Sequence, residues 1–137
     1  MIEITTEDFS PDEVIKSLQT CDIGAVVTFV GVVRNESKGR GIQRIEIEVY
    51  HEMAQRLLES IRDEAIRKFG VKDVAIIHRF GSLEPSNRIM MIAVAAKHRS
   101  EAFQACRYII ESIKKRVPIW KKEITLEGDF WVEEVKP

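Results

Sequence analysis

"RIMMIAVAAKHRSEAFQACRYIIESIKKRVP", residues 88–118, changes its period partway along, and that change decides the fold. Ile89 to Ala96 is a continuous apolar run, too short to span a bilayer and right for a strand. From Ser100 onward, Phe103, Cys106, Ile110, Ile113 and Val117 recur at helical spacing and are expected to face inward. Pro118 cannot continue the helix. A strand therefore hands the chain directly to a long amphipathic helix.

Working upstream, "DVAIIH" (residues 73–78) reads as a second strand, joined to the first by the turn-rich "GSLEPSN" (residues 81–87). Met53, Leu57, Ile61, Ala65 and Phe69 define another helix, with Gly70 suited to its C-cap. Ile45, Ile47 and Val49 alternate with Arg44, Glu46 and Glu48, the period of a half-buried antiparallel strand. "RNESKGRG" (residues 34–41) carries two glycines and three cations and reads as a mobile loop, whereas "GAVVTFVGVVR" (residues 24–34) reads as a buried strand. Ser10, Pro11 and Glu13 are placed as N-cap, first helical residue and capping-box partner of a short leading helix. Downstream, "EITLEGDFWVEEV" (residues 123–135) looks like a hairpin turning around Gly128 and Asp129. A leading helix, then β-β-α-β-β-α, then a hairpin predicts an α+β fold with mainly antiparallel pairing, in a single domain over residues 1–137.

Composition narrows the function classes. An apolar fraction of 45% and a charged fraction of 31% are those of a globular chain rather than a disordered one. A net charge of −1 offers no global attraction for nucleic acid. Two cysteines, Cys21 and Cys106, make neither a disulfide framework nor a metal site. The opening "MIEITTEDFS" lacks the basic-then-apolar pattern of a signal peptide, so a cytoplasmic enzyme or binding module is expected.

One stretch stands apart. "KKRVPIWKKE" (residues 114–123) sets five cations around a Pro-Ile-Trp centre. Lys114, Lys115 and Arg116 close the second long helix, where cations complement the negative end of its dipole. That account does not reach Lys121 and Lys122, which lie beyond Pro118 on an expected strand, anchored by a buried Trp120. A lysine near other cations in a partly dry pocket holds its proton less firmly and can act as base or nucleophile; one that stays charged can hold a phosphate. Arg34 ends a strand at the mouth of the loop, and His98 and Arg99 sit where a helix start offers free N–H groups to an anion. His78 reads as a packed strand residue and Cys106 as core. Residue spacing thus gives an anion pocket with candidate lysines and names no reaction.

"GAVVTFVGVVRN", "HRFGSL", "KHRSEAF", "PIWKKE" and "GDFWVE" occur, in this order, in a pattern that resembles the large, catalytic subunit of molybdopterin synthase, and together they span residues 24–133. The resemblance implies a two-layer α+β hammerhead-type domain that dimerises, each subunit binding a small ubiquitin-like carrier whose tail ends in a thiocarboxylate. It implies a sulfurtransferase that converts cyclic pyranopterin monophosphate to molybdopterin, with no cofactor or metal of its own. By motif position, Lys114 and Lys121 match the family's catalytic lysines, while Val32, Val33, Arg34, His98, Arg99, Lys122 and Glu123 match its substrate-contacting segments. The chain departs from the family pattern at Val32, at "YHEM" (residues 50–53), at Ser86 and Asn87, and at Phe130. The readings from other classes are a non-catalytic anion- or RNA-binding module and a scaffold that only binds a carrier.

Overall fold

A computed structural model describes residues 1–132. The described elements are β1 (Ile2–Thr5), α1 (Pro11–Leu18), β2 (Ala25–Val32), β3 (Glu36–Ser37), β4 (Arg40–Val49), α2 (His51–Phe69), β5 (Asp73–Arg79), β6 (Gly81–Leu83), β7 (Arg88–Ala96), α3 (Arg99–Arg116), β8 (Ile119–Thr125) and β9 (Gly128–Trp131). One sheet has the order β1-β5-β7-β2; the other runs β3-β4-β8-β9, with β6 also paired to β4. Every pairing is antiparallel except β1 with β5. This is the mixed, mainly antiparallel α+β architecture that the hydrophobic periods predict.

The uninterrupted apolar run of β7 has a physical cause. Met90, Ile92, Val94 and Ala96 join the main core with α2 and α3, while Met91, Ala93 and Ala95 meet Val14 and Leu18 of α1 on the other face. Both faces are covered, so neither can be polar. The leading helix starts as its sequence dictates: the Glu13 N–H donates to Ser10 Oγ at 3.3 Å, and Pro11 occupies the first turn. Gly70 ends α2 in the left-handed region (φ 69°), its N–H donating to the Ile66 carbonyl at 2.9 Å.

Several expectations need correction. Residues 24–34 are not a fully buried strand: β2 is the sheet edge, paired only with β7, and Val32 is 50% exposed. In α2, Ala54, Leu58, Ile61 and Ala65 are buried, whereas Met53 points outward at the first turn. In α3 the inward face carries Ala102, Ala105, Cys106, Ile109 and Ile113, and Phe103 is 61% exposed. Small alanines let this helix approach β7 and β2 closely, and Phe103 lies about 100° round the helix from that contact. Trp120 is 51% exposed rather than buried, because on β8 it faces opposite to Lys121.

The segment read as a loop folds as a hairpin, β3 with β4, around Lys38 (φ 51°) and Gly39 (φ 77°). The carboxyl-terminal hairpin turns at Leu126 and Glu127, two residues earlier than expected, since Thr125 already pairs with Gly128. Its expected residues 133–135 lie outside the described residues. The short strands β1 and β6 add to the predicted elements.

Gly24 gives a direct test of the packing at the start of β2. Its N–H donates to the Ala96 carbonyl at 3.0 Å, and a Cβ there would stand 2.4 Å from the Lys97 carbonyl oxygen. Gly24→Ala is expected to cost about 1–3 kcal/mol in urea unfolding. Gly41→Ala, where an added Cβ meets nothing within 4 Å, should stay within about 0.5 kcal/mol of wild type.

Candidate active site

Where the two sheets meet beneath the end of α3, the chain forms a partly open cavity of about 360 Å³. Its walls are apolar, supplied by residues such as Phe29, Met90 and Ile113, and five polar side chains enter it: Arg34, His78, Lys114, Lys121 and Glu123. Those five come from four separate parts of the chain.

Strand parity selects the residues from β8. Ile119, Lys121 and Glu123 line the cavity, while Trp120 and Lys122 face away. Lys121 is fixed by pairing with Ile47 of β4, not by a buried tryptophan beside it. Lys122 instead lies 5.3 Å from the centre of the Trp131 ring. From the end of β2 come Val32, Val33 and Arg34. Val33 is held in place twice, its N–H donating to the Asn87 carbonyl (2.9 Å) and its carbonyl accepting from the Ser86 N–H (2.8 Å). The turn containing Ser86 and Asn87 therefore positions Arg34.

Within the cation cluster that closes α3, the structure separates three roles. Arg116 makes a bidentate pair with Glu64 of α2, at 2.7 and 2.9 Å, and Tyr108 donates to the same carboxylate at 2.6 Å. The Arg116 guanidinium, followed by the Tyr108 hydroxyl, holds the Glu64 carboxyl down at about 2. Arg116 is thereby tied to the neighbouring helix. Lys115 is exposed and does not border the cavity; Lys114 does.

His78 is packed on its strand, as the sequence predicts, and it is also part of the cavity wall. It is 2% exposed, yet it borders the cavity. Its Nδ1 lies 2.8 Å from the Arg79 carbonyl oxygen. Burial pulls its proton affinity down to about 4, and the charges of Lys121 and Lys114 push in the same direction. The signal was available: along β5 it shares a face with Val74 and Ile76, the face turned toward the main core. Adjacent Arg79 has a structural task, donating to the carbonyls of Arg88 and Thr6 at 3.0 Å each.

Of the nine residues singled out by sequence, six therefore line one cavity: Val32, Val33, Arg34, Lys114, Lys121 and Glu123. Lys122, His98 and Arg99 do not. His98 is the N-cap of α3, with Nδ1 3.6 Å from Glu101. Arg99 and Lys114 are separated by about 22 Å of helix. Cys106 is core, its thiol pushed up to about 11 by burial, and Cys21 is exposed.

Fold and site together define a class: an α+β protein whose small, cation-lined cavity suits a phosphorylated small molecule. A family model described as "MoaE protein" matches residues 4–116, and the chain belongs to that family. It is 45% identical to the molybdopterin synthase catalytic subunit of Pyrococcus abyssi, over 93% of this chain and 86% of that protein. Its identity to the Escherichia coli subunit of the same name is 44%, over 80% of this chain and 73% of that one. Among solved structures, the molybdopterin synthase from Staphylococcus aureus superposes with a TM-score of 0.91 at 39% identity, covering 96% of each chain. A complex of subunits 1 and 2 of the molybdopterin-converting factor from Helicobacter pylori shares the fold, with a TM-score of 0.79 at 24% identity and coverage of 97% and 90%. The family places the chain among the enzymes of molybdopterin biosynthesis.

Proposed function

We propose that the chain is the catalytic subunit of a molybdopterin synthase, a sulfurtransferase. It converts cyclic pyranopterin monophosphate to molybdopterin with two sulfurs from the thiocarboxylate tail of a small ubiquitin-like carrier. The observation that carries this reading is the meeting of Arg34, Lys114 and Lys121, from three separate parts of the chain, in one cavity of about 360 Å³. That volume lies at the small-molecule end of ligand pockets and does not suit a nucleic-acid strand, which needs an open groove.

The chemistry asks for a grip on a phosphate while its ring opens, and for groups that move protons as sulfur bonds to the side-chain carbons. Arg34 can hold two phosphate oxygens at once. Lys114 and Lys121 supply positive charge and proton transfer. The sulfur arrives on the carrier, so the chain needs no reactive thiol of its own.

His98 and Arg99, assigned by resemblance as substrate contacts, lie too far along α3 to reach the cavity of their own chain. Their assignment therefore requires a second copy, and a homodimer carrying one carrier on each outer side supplies it. A cytoplasmic setting fits this reading, and no helix among the described residues is long and apolar enough to cross a membrane.

The test is to mix the protein with thiocarboxylated carrier and cyclic pyranopterin monophosphate and to assay dithiolene formation, with light scattering in parallel. Product and a dimer that grows to a heterotetramer are expected. Absence of product from well-folded protein removes the sulfurtransferase assignment, and a monomer at micromolar concentration with and without carrier removes the assembly.

A further inference from the structure

His78 stands outside the roles given so far. Its Nδ1 faces a carbonyl oxygen, which can only accept, so the ring proton sits on Nδ1 and Nε2 carries a lone pair. With Nδ1 turned to the backbone, Nε2 on the far side of the ring is the polar atom that His78 can offer to the cavity its side chain borders. The cavity's remaining polar groups are three cations and the Glu123 carboxylate. A neutral acceptor among them is poorly suited to a phosphate, which itself presents acceptors. It suits a donor on the same ligand.

We propose that His78 is a substrate-contacting residue whose Nε2 accepts a hydrogen bond from a ring N–H or a hydroxyl of the ligand whose phosphate Arg34, Lys114 and Lys121 hold. This rests on the reading of the cavity as a pterin cyclic phosphate site, and it adds the specificity that the cations lack. Arg34 and the lysines hold any phosphate of suitable size; His78 selects the one joined to a hydrogen-bond donor at the right reach. The contact is fixed in advance, because β5 anchors the backbone and the Arg79 carbonyl fixes the tautomer.

The experiment compares wild type, His78→Gln and His78→Phe by calorimetric titration with two probes, cyclic pyranopterin monophosphate without oxygen and inorganic phosphate. Glutamine keeps an acceptor near the position of Nε2; phenylalanine keeps bulk and removes it. His78→Phe is expected to weaken the pterin phosphate by about 10- to 100-fold and inorganic phosphate by no more than about twofold. His78→Gln should come within about threefold of wild type for both. In ¹⁵N-histidine spectra of wild type, Nε2 should be unprotonated and should shift on adding the pterin phosphate but not inorganic phosphate. That measurement stands even where His78→Phe fails to fold.

Equal pterin phosphate affinity in all three proteins overturns the proposal, as does a His78→Phe variant that loses both probes in proportion, or an Nε2 that is protonated in the free protein. A wild type that binds the pterin phosphate through His78 yet forms no dithiolene removes the sulfurtransferase reading and leaves this contact standing. Wild-type turnover by His78→Phe removes the contact alone. A wild type that binds only inorganic phosphate removes both.

Discussion

Lys121→Ala and Lys114→Ala are each expected to lower dithiolene formation by ~10²–10⁴-fold, the usual worth of a positioned acid–base group. Neither change should disturb the fold. Lys114 is exposed at its rim of the cavity and Lys121 is half-buried, so stability should remain within about 0.5 kcal/mol of wild type. Lys115→Ala is the control: it belongs to the same run of cations but does not border the cavity, and its turnover should be that of wild type. The three variants separate two mechanisms. If the cluster acted only as a diffuse positive field, all three would weaken substrate binding alike, and added salt would mimic the loss. If the two cavity lysines act on the reacting groups, they alone lose kcat while carrier binding persists. Near-wild-type product formation by both Lys114→Ala and Lys121→Ala would overturn the site assignment.

The contrast between these lysines and their neighbours also shows where sequence is informative. Patterns whose signal is a long run or a firm period were legible: the two long helices, the central strands β5 and β7, the alternation in β4 and the stop at Pro118. What failed depended on which way a side chain faces. Trp120 looked like the anchor and Lys121 its passenger. On β8 their parity is opposite, and the cross-strand partner Ile47 fixes Lys121 instead. Phe103 looked like core because it falls on a helical period with Cys106 and Ile110, but Ala102 and Ala105 occupy the contact since small residues allow helix and sheet to come close. β1 and β6, of four and three residues, are too short for any period to register and exist through pairing with distant strands.

The candidate site divides in the same way. Arg34, Lys114, Lys121 and Glu123 were legible because the cation cluster is conspicuous in an otherwise balanced chain and because the motifs resemble a family. The place of His78 beside them was not, although it is more deeply buried than any of them. A lone histidine on a strand is ordinarily packing, and its burial alone would support that reading. Only the cavity at its edge and the lysine charges acting on it distinguish it.

That burial has a measurable consequence for stability below neutral pH. In the unfolded chain His78 takes up its proton at an ordinary 6.5; in the folded chain it does so only at about 4. Between those values the unfolded state binds more protons, so stability falls as pH falls through this window and is independent of this group above it. The full gap corresponds to about 3 kcal/mol, of which about 2 kcal/mol should be lost between pH 7.5 and pH 5. The charged groups that share its cavity are Lys114 from α3, Lys121 and Glu123 from β8, and Arg34 after β2; of these the two lysines act on it, adding to the effect of burial. Glu64 does not confuse the measurement. Its carboxyl is depressed from 4.5 to about 2, so the stability it contributes is lost only at more acid pH. Urea unfolding at intervals from pH 7.5 to 5 should therefore show a decline in wild type that is largely absent in His78→Gln, whatever the variant's stability at neutral pH. An equally steep decline in both proteins would show that His78 titrates normally in the folded chain, and hence that it is not the buried, neutral member of the cavity wall.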